Sequence, residues 1–561
     1  MRMHGLRGAA ALAALLAFAG CSKKTDTNAP LAFVPADTPF VYANIEPMPD
    51  SAVTQWRAQM EQMWPLMVTM MDQALAEIAK KDEGAKSTRV LRAVFDEVRE
   101  RSTPEQWQQV GFSPKAHVAL YGVDLLPVLR LELVDPDAFR AMFARIEQKA
   151  GESLGTARIG EQEVRTFGDA DVQGLMAIED HHLVVTLVPG SADEAMKRRV
   201  LGLDRPKQNL ADSGALAEFN KTHGYQPIGS GWVDTRRVVA LAAEMAAKDK
   251  SDAAKTFDAT CREEFDALAA KAPRLTLGYR EFSAERMTMH ARLELDPALA
   301  KSLSALASPM PGTPSPDALL DFAMALPVLQ GRDFLVAQYD AIAKSPFRCS
   351  MLVSMNQSAA ESKTKLDQTI PPPVSDLTGA RMTITRFAWA SDAAPTAPPE
   401  VSGTLLIGSN NPSFLSSLAQ MSVPALRDLK LAADGKPVAI PPGALPGEMG
   451  GKLDLSVAMT AKTLGISLGK DEAPKLAAAV AAVPAPSGTL FDMSVRGAFY
   501  STFADAMGRF SAMLPEESRK QMEMQRQLYT MYAKWFKRVD ATIAVVPEGL
   551  DFTETVELPA H

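Results

Sequence analysis

Apolar and polar positions alternate with period two along "RMTMHARLELD". Met287, Met289, Ala291, Leu293 and Leu295 share one face, while Thr288, His290, Arg292 and Glu294 share the other. That period predicts a half-buried strand. Near the C-terminus "EGLDFTETVEL" repeats it through Leu550, Phe552, Val556 and Leu558, except that Glu554 falls on the apolar parity. A lone buried carboxylate loses its charge or finds a partner, so Glu554 is expected at a sheet edge rather than facing a cavity.

These two strands belong to a longer series of matched segments. "PKAHVALYG" and "LPVLRLELVDPDAFRAMFARI" read as two strands and a helix opened by Asp135-Pro136; "GARMTITRFAWA" and "VSGTLLIGSNNPSFLSSLAQM" repeat the order with Asn411-Pro412. Downstream, "VQGLMAIEDHHLVVTLVPGSADEAMKRRV" resembles "LDLSVAMTAKTLGISLGKDEAPKLAAAV", and "GSGWVDTRRVVALAAEM" resembles "SGTLFDMSVRGAFYSTFADAM". The matches keep one order at offsets of about 255 to 280 residues, which points to an internal duplication. The fold class expected is α+β: two related modules of antiparallel sheet with helices packed on one face. The Pro-rich stretch 308–316, "SPMPGTPSP", separates a first module at 31–307 from a second at 317–561, because its prolines join neither a helix nor a central strand.

Two long helical segments break the duplication. Trp56, Met60, Met63, Met67, Met70, Met71 and Leu75 recur at helical spacing, with Pro65 expected to kink the run; residues 515–538 carry Met522, Met524, Leu528, Met531, Tyr532, Trp535 and Phe536. A Met-rich face suits ordinary core packing or an adaptable apolar groove, for which Met60, Met63, Met67, Met531 and Trp535 are the candidates. His and Cys ligands do not accompany the thioethers, which argues against copper.

The N-terminus adds a location. Arg2 and Arg7 precede an alanine/leucine run from Ala9 to Ala19, and small residues lead into Cys21. Eleven apolar residues span about 16 Å as a helix, half a bilayer core, so the run reads as a removable signal at 1–20. Phe18-Ala19-Gly20-Cys21 resembles the lipobox of bacterial lipoprotein precursors, with Phe18 where leucine is usual. The resemblance implies cleavage before Cys21 and acyl chains on its thiol and new amino group. Ser22 at the next position resembles the outer-membrane sorting pattern, with the body in the periplasm. Residues 21–30 then form the lipidated cysteine and a short polar tether. The following "LAFVPADTPFVYANIEPMP" is similar to the mature start of a group of bacterial envelope proteins opening with Val-Pro-Ala-Asp-Thr-Pro, a likeness that carries no chemistry.

Charge narrows the partners. The formal net charge of −8 becomes −10 once Arg2 and Arg7 are removed, which argues against nucleic acid. At 47% hydrophobic and 22% charged, the composition is that of a folded globular protein. With Cys21 lipidated, Cys261 and Cys349 remain, both in helix-like segments; they form either one disulfide or two buried thiols.

Catalytic signals are missing. There is no Gly-x-Ser-x-Gly, His-Glu-x-x-His, P-loop or Cys-x-x-Cys, "GSGWVD" lacks the third glycine of a dinucleotide fingerprint, and Ser362-x-x-Lys365 has no companion motifs. His181 and His182 are adjacent in the turn "IEDHHLVV"; neighbouring strand side chains point to opposite faces, so a solvated turn is expected rather than a metal site. No cofactor is expected. The sequence predicts a lipid-anchored envelope protein that acts by binding an apolar ligand or an envelope protein, the alternative being an enzyme whose site is dispersed between the modules.

Overall fold

The computed structural model describes residues 29–80, 86–248, 256–389, 399–423, 426–441, 453–483, 488–511 and 514–559. Its period-two segments pair as antiparallel strands and its 3.6-period segments form helices, an α+β fold. The chain divides into two compact units, each discontinuous in sequence: Met1–Met245 with Arg274–Met289, and Ala246–Pro273 with His290–Ala560.

In the first unit the elements are β1 (Phe40–Ala43), α1 (Asp50–Ala79), α2 (Lys86–Arg99), α3 (Pro104–Gln108), β2 (Val118–Val123), β3 (Leu126–Glu132), α4 (Pro136–Ala150), β4 (Gly155–Ile159), β5 (Gln162–Gly168), β6 (Val172–Glu179), β7 (His182–Pro189), α5 (Glu194–Leu201), α6 (Leu210–Ser213), α7 (Ala215–His223), β8 (Ser230–Asp234), α8 (Thr235–Lys248) and β9 (Arg274–Phe282). Its strands pair antiparallel in the order β4-β5-β6-β7-β3-β2-β1-β8-β9. Asp135 caps α4 by accepting from the Asp137 and Ala138 amides, and Pro136 opens the helix where its missing N–H costs nothing.

Helices lie on both faces of this sheet, not one. Tyr121, Val128, Leu175 and Val184 pack with Val200, Leu201 and Leu216 of α5 to α7, whereas Leu131, Leu183 and Met176 on the opposite face pack with Phe139, Met142 and Ile146 of α4. The near-continuous apolar run of β7, "HLVVTLVP", is what a strand covered on both faces requires.

In the second unit the elements are α9 (Ala259–Lys271), the end of β10 (Arg286–Glu294) from His290 on, α10 (Pro297–Ser304), β11 (Leu320–Ala325), α11 (Val328–Lys344), α12 (Ser354–Leu366), β12 (Leu377–Ala388), β13 (Glu400–Ser409), α13 (Pro412–Ser422), β14 (Val438–Ala439), β15 (Leu455–Met459), β16 (Thr463–Leu468), α14 (Glu472–Ala481), β17 (Thr489–Arg496), α15 (Gly497–Ser511), α16 (Glu516–Trp535), β18 (Arg538–Val546) and β19 (Gly549–Glu557). The strand order is β14-β15-β16-β13-β12-β11-β17-β18-β19. Helix α14 covers one face through Leu476 and Val480 against Leu406 and Ala458; Leu415 of α13 covers the other against Met459 and Leu464.

The Pro-rich stretch 308–316 packs within this unit: the Pro311 carbonyl accepts from Arg381 Nε at 3.0 Å, and Pro311 and Gly312 are buried. Glu554 does not lie at an edge. It pairs opposite Ala541 of β18, and on the other side of β19 Leu295 donates its amide to Glu548 O while Asp551 binds His290 and Arg292. The exception to alternation is tolerated because Glu554 is only half-buried.

Candidate functional site

The methionine stripe of the first unit lies on α1. Asp50 in its first turn favours the helix N-terminus, and the helix continues on both sides of Pro65. Trp64 docks it: the ring is buried and Nε1 donates to the Arg99 carbonyl at the end of α2, while Asp72 pairs with the Arg99 guanidinium. Helix α2 is fixed in turn through Glu97, buried between Arg101, Arg145 and Lys149. Burial pushes the Glu97 carboxyl up, but hydrogen bonds from Arg145 and Lys149 outweigh it and hold the carboxyl below its ordinary value. C-terminal to Trp64 no residue of α1 is fully buried: Met67 and Met71 are half-buried and Met70 is 46% exposed, while Met60 and Met63, ahead of Trp64, are also half-buried. This is a docked helix whose apolar stripe is only partly covered.

Met531 and Trp535 lie in the second unit, so the candidate groove residues fall into separate units. Their helix α16 packs along α15 through aromatic contacts, Tyr500 with Tyr532 (5.6 Å between centroids), Phe503 with Tyr529 (5.2 Å) and Tyr500 with Phe536 at the end of α16 (6.4 Å). Burial, then Tyr532, Tyr529 and Glu554, push the Tyr500 phenol up. Beside this cluster a cleft of about 370 Å³ is lined by Trp389, Thr502, Asp505, Arg509 and Arg526, with the Arg509 guanidinium 5.6 Å from the Trp389 ring centre. Glu523 already holds Arg526 with two hydrogen bonds. The cleft is polar and open. Apolar exposure in this unit includes Phe510 of α15, the sheet, where Leu405 is 42% exposed beside its cross-strand neighbour Met382, and α13, where Phe414, Leu418 and Met421 recur at helical spacing.

Cys261 and Cys349 are bonded, with Cα atoms 4.5 Å apart. Cys261 is in α9, but Cys349 is in the turn between α11 and α12, where Pro346 and the Asn356 side chain hold the chain out of a helix. Cys21 and nearly all of the tether lie outside the described residues. The histidine pair divides: His181 is exposed, but His182 is buried with Nδ1 3.3 Å from Arg130, contrary to a solvated turn.

Two charged clusters escape sequence reasoning. In the first unit the fully buried Arg130 meets Glu179, His182 and the Leu201 carbonyl. In the second, Arg381 pairs with Asp321, whose other oxygen accepts from Thr383 at 2.8 Å, and lies 3.8 Å from Asp492. Burial pushes the Asp492 carboxyl up, against the lowering effect of Arg381. The signal was an arginine or aspartate on the inward parity of "VLRLE" and "LDFAMA". Among the described residues no group of three or more His, Cys, Asp or Glu is placed to hold a metal ion, and no helix is long and apolar enough to cross a membrane.

No protein-family model matches the chain, and neither a curated protein nor a solved structure matches it.

Proposed function

We propose that this is a lipid-anchored bacterial envelope protein, held by acyl chains on Cys21 at the outer membrane with its body in the periplasm, that acts by binding an apolar ligand or an envelope protein partner. The observation that carries the binding reading is the second half of α1, where a methionine stripe docked by Trp64 is only partly buried, with Met70 exposed. Thioether side chains are flexible and polarizable, so such a stripe accommodates apolar shapes without a preformed pocket. The half-exposed Leu405, Met382, Phe414, Leu418 and Met421 of the second unit support the same reading. Confinement by the anchor raises the effective concentration of the body for anything in the same membrane.

An internal duplication is part of the proposal. It is supported by strand pairing: β6-β7-β3-β2-β1-β8-β9 in the first unit and β15-β16-β13-β12-β11-β17-β18 in the second follow the same order, with α4 and α13 each following the third strand of its series in that order.

The test is native mass spectrometry of the protein extracted gently from its own envelope. Mass beyond the acyl groups, identified as a lipid or a second protein, supports binding and names the target. A clean mass removes the main support for a stably bound partner.

A further inference from the structure

Residues Pro30–Phe33 form a 3₁₀ turn in which Pro30, Ala32 and Phe33 are buried. The Val34 carbonyl accepts from the Leu210 amide, and the Ala36 amide donates to the Gln208 carbonyl, each at 3.0 Å. The Phe33 ring is clasped between two guanidinium groups, Arg130 at 3.6 Å and Arg205 at 4.3 Å from its centre. Seven residues, Ser22–Asn28, separate Cys21 from Ala29, whose carbonyl accepts from the Ala32 amide. Even a fully extended chain keeps the Cα atoms of Cys21 and Ala29 within about 29 Å.

Resting on the lipid-anchor reading, we propose that the loop Leu203–Gln208, beside the buried Pro30–Phe33 turn, is the face the protein lays on the phospholipid leaflet, with Arg205 and Lys207 contacting the phosphates of anionic lipid. Reach and charge agree. The loop is bonded to the tether's root through Gln208, and Arg205 and Lys207 are exposed on it. From Lys197 to Lys207 the chain carries five cations and one anion, Asp204. Arg198 and Arg199 pair with Asp204 and Asp124, and the segment stays rich in cations within a body whose net charge is negative. Anionic lipid repels the rest of such a body and attracts this patch, so charge orients what the anchor holds close.

The test uses the full-length protein, acylated and processed in its host. It is reconstituted in phosphatidylcholine vesicles with and without phosphatidylglycerol, and its lysines are labelled briefly with an amine-reactive ester. Rates are read by peptide mass spectrometry and normalised to the detergent-solubilised protein. In phosphatidylglycerol vesicles Lys207 is expected to label about fivefold more slowly than the exposed Lys436 and Lys520, with weaker protection in phosphatidylcholine alone. Parity of Lys207 with those lysines, while Cys21 carries acyl mass, overturns the face and leaves the anchor standing. Equal protection in both vesicles overturns the attraction by anionic lipid that orients the face. Cys21 without acyl mass removes the anchor and the face together.

Discussion

Cys261 is bonded to Cys349 across 88 residues of chain, inside an apolar cluster with Phe265, Leu268, Phe347 and Leu352. Glu264 reinforces the junction by accepting the Arg348 and Cys349 amides at 2.7 and 3.1 Å. A cross-link over so long a loop restricts the unfolded chain, so Cys261→Ser with Cys349→Ser is expected to lower stability by about 2 to 4 kcal/mol. Urea unfolding with and without reductant checks this; coincident curves for the wild type would refute it.

The Asp321–Arg381 pair is almost fully buried, at 1% and 4% exposure. Its Coulomb attraction is offset by desolvation, but losing one partner strands the other charge. Arg381→Met alone is expected to cost about 3 to 5 kcal/mol, and the double change with Asp321→Leu distinctly less. Denaturation midpoints of the three proteins decide it, and a single variant as stable as the double one contradicts it.

Acid stability should depend on Asp551. Burial pushes its carboxyl up, but hydrogen bonds and charge from Arg292 and His290 prevail and hold it well below the ordinary carboxylate range. A carboxyl depressed on folding contributes stability that is present in full above its unfolded value near 4 and lost as pH falls through the folded one. Wild type and Asp551→Asn should therefore differ most near neutrality and converge as pH drops below about 4. A gap that stays constant from pH 7 to pH 3 would count against the pairing.

Because Met70 is exposed and Met67 only half-buried, Met67→Lys with Met70→Lys should shift stability by less than about 1 kcal/mol. The same change should abolish co-purifying apolar mass. Retention of that mass in native spectra would place binding elsewhere.

Cys21→Ser should carry no acyl groups. Metabolic labelling with a fatty-acid analogue, equal in variant and wild type, would end the anchor reading.

Strands and capped helix starts were legible because each depends on local chemistry: alternation marked β10, and Asp135-Pro136 and Asn411-Pro412 both cap helices as their side chains dictate. Tertiary choices were not. Burial of His182 depends on Arg130, 52 residues away, and Glu554 is kept from an edge by residues 290–295, more than 250 positions upstream. Helices on both faces were foreshadowed only by the unbroken apolar run of β7. The open face of α1 is set by where Trp64 meets Arg99, which spacing along one helix does not encode.

The discontinuity of the units bears on biogenesis. Under the export and lipid anchoring proposed above, a chain threaded N-terminus first delivers α9 well before the turn that receives it, so Cys261 waits for its partner. In that proposal Cys21 is committed to lipid, and the one other thiol in the sequence is Cys349. Intramolecular scrambling has no alternative to offer, and oxidative misassembly is confined to cross-links between copies.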